Sequence, residues 1–272
     1  MQLKSLALET STRCNARCIM CYAGRESLRS RPAQISLFKA LGLIDEAVEL
    51  GCTELHPFFT ADPFCYKDWP ILFASAARDL KLVVSTNGQL LDAEALGLLV
   101  ETVPVMDLIF SIDYTTIEEQ ERIRPGLSKD VVFKNVYRVL AEAPRHPQWH
   151  TTVRGVALKG LNDGIAERLH ETFVGLADEV VVVPDDGRGN TTPVTTPSVE
   201  PCRSLFTGLS VLSDGTATMC CQDYRPEFSL GNVFEQGLEA VWNGPTLAWT
   251  RQLHQAGQKN RIAVCNKCNV RY

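Results

Sequence analysis

Residues 11–24, STRCNARCIMCYAG, carry three thiols within eight residues, at Cys14, Cys18 and Cys21. Disulfides consume cysteines in pairs, and a closed zinc site takes four ligands. Three therefore leaves either a partner elsewhere in the chain or one coordination position open. Three thiolates on one loop can face a common point and hold three irons of a [4Fe–4S] cube, leaving the fourth iron for a small molecule. Soft thiolate ligands suit that chemistry. Zinc is the alternative, although no histidine or fourth cysteine lies close by in sequence.

A second constellation comprises Cys202, Cys220, Cys265 and Cys268, the last two forming a C-x2-C pair in CNKC. Four thiols satisfy tetrahedral zinc and a fully ligated [4Fe–4S] cluster equally well. Beside the first motif, the cluster reading is favoured. Of the ten cysteines, Cys52, Cys65 and Cys221 are then spare.

The 272-residue chain has a net charge of -5, with 45% hydrophobic and 22% charged residues. That balance is ordinary for a soluble protein. It offers no basic stripe for nucleic acid. The start, MQLKSLALETSTRC, holds no long apolar run, and no later window approaches a membrane span. The expected location is the cytoplasm, where reduced thiols point to metal binding or catalysis rather than to disulfides.

Such ligands need elements to position them. Strand-like runs at 3–9, 54–59, 80–86, 106–113, 150–158 and 178–184 alternate with helical patterns at 36–50, 92–102, 132–143 and 163–177, and Asp92 suits an N-cap. Buried-type strands separated by helices imply parallel βαβ units. Six units are too few for a closed eight-stranded barrel. The expected fold is therefore α/β, a partial (β/α)6 barrel or an open sheet. Composition turns polar and proline-containing at 185–201, marking a linker or an active-site loop. Beyond it, LSVLSDGTATMC (209–220) reads as a hairpin around Ser-Asp-Gly, and 235–255 as helix interrupted by Asn-Gly-Pro at 243–245. The expected division is a barrel over residues 1–190 and a small hairpin-plus-helix cluster-binding domain over 191–272.

C-x3-C-x2-C after the first strand of a partial barrel resembles the radical S-adenosylmethionine (SAM) superfamily. That resemblance implies a SAM-binding [4Fe–4S] cluster on Cys14, Cys18 and Cys21. One electron cleaves SAM there, and the 5′-deoxyadenosyl radical abstracts hydrogen from substrate. It also implies cofactor contacts. Tyr22 occupies the aromatic position beside the third cysteine. TADP (60–63) stands where the family has Gly-Gly-Glu-Pro, with Thr60 and Ala61 replacing the glycines and Asp62 the glutamate. Ser85 and Asn87 of STNG, and Ser111 and Asp113 of SID, resemble segments near the SAM ribose and substrate; a strand-end turn and a helix-start loop are their plainer readings.

The tail, PC-x17-C followed by LGNV (230–233), VW (241–242) and C-x2-C, is similar to the twitch form of the SPASM extension. This implies one auxiliary [4Fe–4S] cluster on Cys202, Cys220, Cys265 and Cys268, since the four residues after Cys268 leave no room for further ligands. The spacing is similar to that of the 2-deoxy-scyllo-inosamine dehydrogenases, aminocyclitol oxidases of antibiotic biosynthesis.

The implied activity is oxidation of a small polar substrate such as a sugar, aminoglycoside or aminocyclitol. The auxiliary cluster would take the electron, and a flavodoxin or ferredoxin would serve as donor. Arg188 in DGRGN is the candidate for holding substrate or lowering a hydroxyl pKa. His56 is a candidate base, and Asp185, Asp186 and Asp223 could meet amino groups. Three alternatives stand beside this reading. A redox-neutral epimerase would use Cys65 or Cys221 as hydrogen donor, Cys52 being expected in the core. A ribosomal-peptide modifier is disfavoured by the short segment ahead of Cys14. A non-catalytic iron–sulfur or zinc protein is disfavoured by the size of the α/β body.

Overall fold

The computed structural model describes residues 1–21, 34–185, 200–224, 229–266 and 268. Six parallel strands alternate with helices: β1 (Ser5–Leu8), α1 (Leu37–Glu49), β2 (Glu54–His56), α2 (Trp69–Ala76), β3 (Lys81–Thr86), α3 (Ala93–Thr102), β4 (Met106–Ser111), α4 (Ile117–Ile123), α5 (Lys129–Glu142), β5 (Trp149–Ala157), α6 (Ile165–Phe173) and β6 (Glu179–Pro184). They lie side by side in the order β6-β5-β4-β3-β2-β1, every pair parallel. This is the expected partial barrel.

Local sequence explains the elements. In α1 the Ser36 hydroxyl caps Lys39 N–H, and Ala40, Leu43, Ile44 and Ala47 bury one stripe at helical spacing. Asp92 Oδ1 accepts from Glu94 and Ala95 N–H at the start of α3, as expected of an N-cap. The second strand stops at His56, short of the expected 59, because Pro57 has no N–H to continue the ladder. The helix expected over 163–177 spans only 165–173 and is closed by Gly175, whose φ is +76°.

In β4, Met106, Leu108 and Phe110 are buried beneath the helices, whereas Asp107, Ile109 and Ser111 face the inner side and stay half-exposed. Six strands cannot close around an apolar interior, so the inner wall carries polar residues. Lys81 Nζ meets Asp107 at 2.6 Å there, and His56 Nε2 meets Glu54 at 3.4 Å.

The C-terminal hairpin forms where its turn residues place it, as β7 (Gly208–Val211) and β8 (Thr216–Thr218), after the short α7 (Ser204–Thr207). It continues the barrel sheet: β7 pairs parallel to β1, with Ser5 opposite Gly208. Strands β8 and β9 (Gly231–Asn232) add antiparallel outside it, giving nine strands among the described residues. The helical region then divides into α8 (Val233–Gln236), α9 (Leu238–Trp242) and α10 (Pro245–Gln255), broken at Gly237 and at Asn243-Gly244; α11 (Ala263–Asn266) follows. Among the described residues, no helix is long and apolar enough to cross a membrane.

Two thiol-lined cavities as candidate cofactor sites

A cleft of about 310 Å³ opens at the carboxyl ends of the barrel strands, lined by Cys14, Cys18 and Cys21 together with Thr60, Ala61, Asp62, Ser85, Asn87 and Ser111. The cysteine loop is held there by the segment following α4. Arg17 N–H donates to Pro125 O at 2.8 Å and Ile19 N–H to Ile123 O at 2.9 Å. Gly126 permits the approach: its φ is +95°, and a Cβ on it would stand 2.8 Å from Asn15 O. On the other side Asn87 Nδ2 donates to Asn15 Oδ1 at 2.8 Å.

Among the described residues, a buried cation sits against the loop. Arg124 directs Nε and a terminal nitrogen at Asp113 Oδ2, both at 2.6 Å, and its other terminal nitrogen at Cys18 Sγ at 3.6 Å. Asp113 is fully buried and its second oxygen accepts from Val156 N–H at 2.7 Å. Burial pushes the Cys18 thiol up to about 12, with Arg124 opposing the shift, and burial raises Cys14 as well. Metal binding must therefore displace protons from these thiols. Three soft donors around one cleft, beside a buried guanidinium that offsets thiolate charge, fit an iron–sulfur cluster.

The departures from Gly-Gly-Glu have internal uses. Asp62 Oδ2 accepts from Thr86 Oγ1 at 2.8 Å and from Asn87 N–H at 2.7 Å, and Oδ1 accepts from Phe64 N–H at 3.1 Å. This carboxylate ties the end of β2 to the end of β3; burial raises its pKa, against those hydrogen bonds. Thr60 donates to the buried Glu9, which also accepts from Ser213 N–H at 3.1 Å and so joins three segments.

Ser85 and Ser111 hydroxyls meet at 3.3 Å across β3 and β4. Cys221 also lines the cleft. Cys65 does not; its thiol points at Asn15 Oδ1, 3.7 Å away, and burial together with Asp62 pushes it up to about 12. His56 lies on the inner wall outside the cleft lining, and Cys52 is buried as expected. Asp185 lines the cleft, whereas Asp223 is buried beside Thr218, 2.6 Å from its hydroxyl. Tyr22, Asp186 and Arg188 lie outside the described residues.

Sequence reasoning missed Arg124, Arg154, Asn15 and Glu9. Arg154 faces the cleft from β5, where it pairs with Ser111. An arginine at an inward position of a strand was the available signal. Arg124 lies 106 residues from the thiol it contacts.

The second cavity is lined by Cys202, Cys220, Cys265 and Cys268, together with Leu205, Met219, His254 and Lys259 among others. Burial raises Cys220 well above the usual thiol range and pushes Cys265 up to about 12. Cys202 N–H donates to His254 Nδ1 at 3.1 Å, and Lys259 Nζ donates to Glu200 O at 2.8 Å. Among the described residues no three Cys, His or carboxylate groups converge as a site for one metal ion. Four thiols spread around one cavity, with a lysine in its wall, nevertheless fit a cluster that needs no outside ligand. Cys220 lines this cavity and its chain neighbour Cys221 lines the first.

A radical SAM superfamily model matches residues 8–173, and an iron–sulfur cluster-binding domain model, SPASM, matches residues 202–269. The curated proteins contain no match. Among solved structures, BtrN in complex with AdoMet and 2-DOIA is similar at TM-score 0.67 and 17% identity, over 99% of this chain and 94% of that one. Streptococcus suis SuiB bound to precursor peptide SuiA is similar at TM-score 0.73 and 16% identity, over 92% and 67%. Histidine-tagged anSMEcpe with bound AdoMet gives TM-score 0.66 and 14% identity, over 93% and 80%.

Proposed function

Because the chain belongs to the radical SAM superfamily and carries a SPASM region, we propose that it abstracts hydrogen from a small polar substrate and oxidises that carbon, passing the electron to an auxiliary cluster. When bound, SAM and its [4Fe–4S] cluster supply a carbon radical strong enough to break a C–H bond. The chain does the rest. Cys14, Cys18 and Cys21 hold the cluster. Arg124, fixed by Asp113, keeps Cys18 in place. Asp62 fixes the ends of β2 and β3, and Thr60, Ala61, Asp62, Ser85, Asn87 and Ser111, which line the cleft, would hold SAM. Arg154 and Asp185 face the substrate, with Arg188 as a further group to hold it, while the barrel wall keeps the radical from water and from unwanted partners. Residues 1–190 carry out hydrogen abstraction and 191–272 accept the electron.

The observation that carries this reading is the adjacency of Cys220 and Cys221, consecutive residues lining the two cavities. An electron leaving a substrate in the first cavity has a short path to a cluster in the second. A sugar or aminocyclitol substrate is supported by BtrN, whose structure holds AdoMet and 2-DOIA and of whose length 94% is matched. A flavodoxin or ferredoxin supplies the reducing electron.

A second reading rests on one observation. The Cys221 thiol lines the cleft, where it could return a hydrogen atom to the opposite face of the substrate, making the enzyme an epimerase. One pair of measurements separates these readings. Anaerobically reconstituted protein should hold about eight irons, and the Cys14/Cys18/Cys21→Ala variant about four. Aminosugars are then turned over in deuterated water. A product lighter by two hydrogens supports oxidation, and deuterium retained at carbon supports epimerisation. About four irons in the wild type and none in the variant would remove the electron acceptor and sink the oxidation reading.

A further inference from the structure

Among the described residues, the second cavity contains a donor without an acceptor. His254, on α10, is 1% exposed. Its Nδ1 accepts the backbone N–H of Cys202 at 3.1 Å. A ring nitrogen that accepts carries no proton, so the proton of the neutral imidazole sits on Nε2. Turning the ring over would put a carbon against the Cys202 N–H and lose that bond. Among the described residues Nε2 has no hydrogen-bond partner, although buried N–H groups are nearly always paired. The residue lines the same cavity as the four thiols. Lys259, 6% exposed and anchored to Glu200 O, stands in the same wall.

We propose that His254 is a positioning residue of the auxiliary site whose Nε2–H donates to a sulfur of the bound cluster, with Lys259 adding a buried positive charge. A hydrogen bond to sulfur and a nearby cation both favour the reduced, more negative cluster and so raise its potential. A cluster tuned upward accepts an electron more readily, which is what substrate oxidation requires. A histidine that only fastened α10 to the Cys202 segment would need Nδ1 alone. The inference rests on the cavity holding an iron–sulfur cluster.

The test uses full-length Cys14/Cys18/Cys21→Ala protein, in which the auxiliary cluster remains by itself. It is labelled with ¹⁵N-histidine, reconstituted and reduced for pulsed EPR. We expect a histidine nitrogen and an exchangeable proton coupled to the cluster. His254→Phe should abolish both couplings and shift the midpoint potential to a more negative value. Lys259→Met should shift the potential the same way while keeping the histidine coupling. His254→Gln, which retains a donor, should recover part of the shift. Iron present without histidine coupling, or an unchanged potential in His254→Phe, overturns the inference. Should His254→Phe lose its iron, the labelled spectrum of the parent decides alone. Zinc in place of iron would fail the cluster reading itself and the inference with it.

Discussion

At the scale of single residues, the chemistry was legible where cysteines carry it and illegible in the common polar residues that support them. Cys14, Cys18 and Cys21 declare themselves by spacing alone. Arg124, which contacts Cys18, sits in RIRPG and reads as an ordinary charged residue. Its meaning comes from Asp113, which holds the guanidinium with two contacts to one oxygen. Removing one partner of a buried pair leaves the other charge uncompensated and costs about 3–5 kcal/mol. Arg124→Met is therefore expected to lower unfolding free energy by about 3 kcal/mol and to reduce iron at the first site, leaving the auxiliary site loaded. Arg124→Lys keeps the charge but cannot span Asp113 and Cys18 with one planar fork. It should be intermediate in both respects. Denaturant titration and iron counting read the two effects separately; equal iron in all three proteins would show that Arg124 serves the fold alone.

At the scale of elements, periodicity revealed most helices and strands. Besides the very short α7, α11 and β9, it missed α2 and α4. WPILFASA is apolar nearly all round and has no amphipathic stripe, and IEEQERI is short and highly charged. The cost of missing α4 was functional, because the turn that follows it seats the cysteine loop. Gly126 sits at that contact with φ +95°. Alanine there meets both a disfavoured backbone conformation and a carbonyl 2.8 Å away, that of Asn15. Strain of this kind costs on the order of 1–3 kcal/mol. We expect Gly126→Ala to relieve it by lifting the loop, so that iron is lost from the first site faster under chelator while auxiliary iron leaves at the wild-type rate. Iron release monitored by absorbance checks this; equal rates at both sites would mean that the loop does not depend on the turn.

At the scale of the whole molecule, one sheet runs from the six parallel strands into the C-terminal hairpin. The Ser-Asp-Gly turn made the hairpin legible. Its pairing with β1 was not, because parallel pairing across some two hundred residues leaves no local pattern. That seam is reinforced by Trp242 Nε1 donating to Met1 O at 2.9 Å and by Leu238 N–H donating to Glu46 Oε2 at 2.7 Å. Both join the C-terminal part to the first βα unit. A barrel ending at residue 190 would expose the N–H and C=O groups along β1, together with the apolar surface that Leu209 and Val211 cover. An unpaired edge of that kind invites pairing between chains. Residues 1–190 expressed alone should therefore aggregate, and the full chain should unfold in one thermal transition. Sedimentation of the truncated protein and calorimetry of the full chain measure this directly. A soluble monomer of 1–190 that unfolds cooperatively would show that the auxiliary part is added to a barrel complete without it. If the prediction holds, the sheet couples the two sites mechanically: whatever loosens the auxiliary thiols also loosens β1, the strand that delivers Cys14, Cys18 and Cys21 to the cleft.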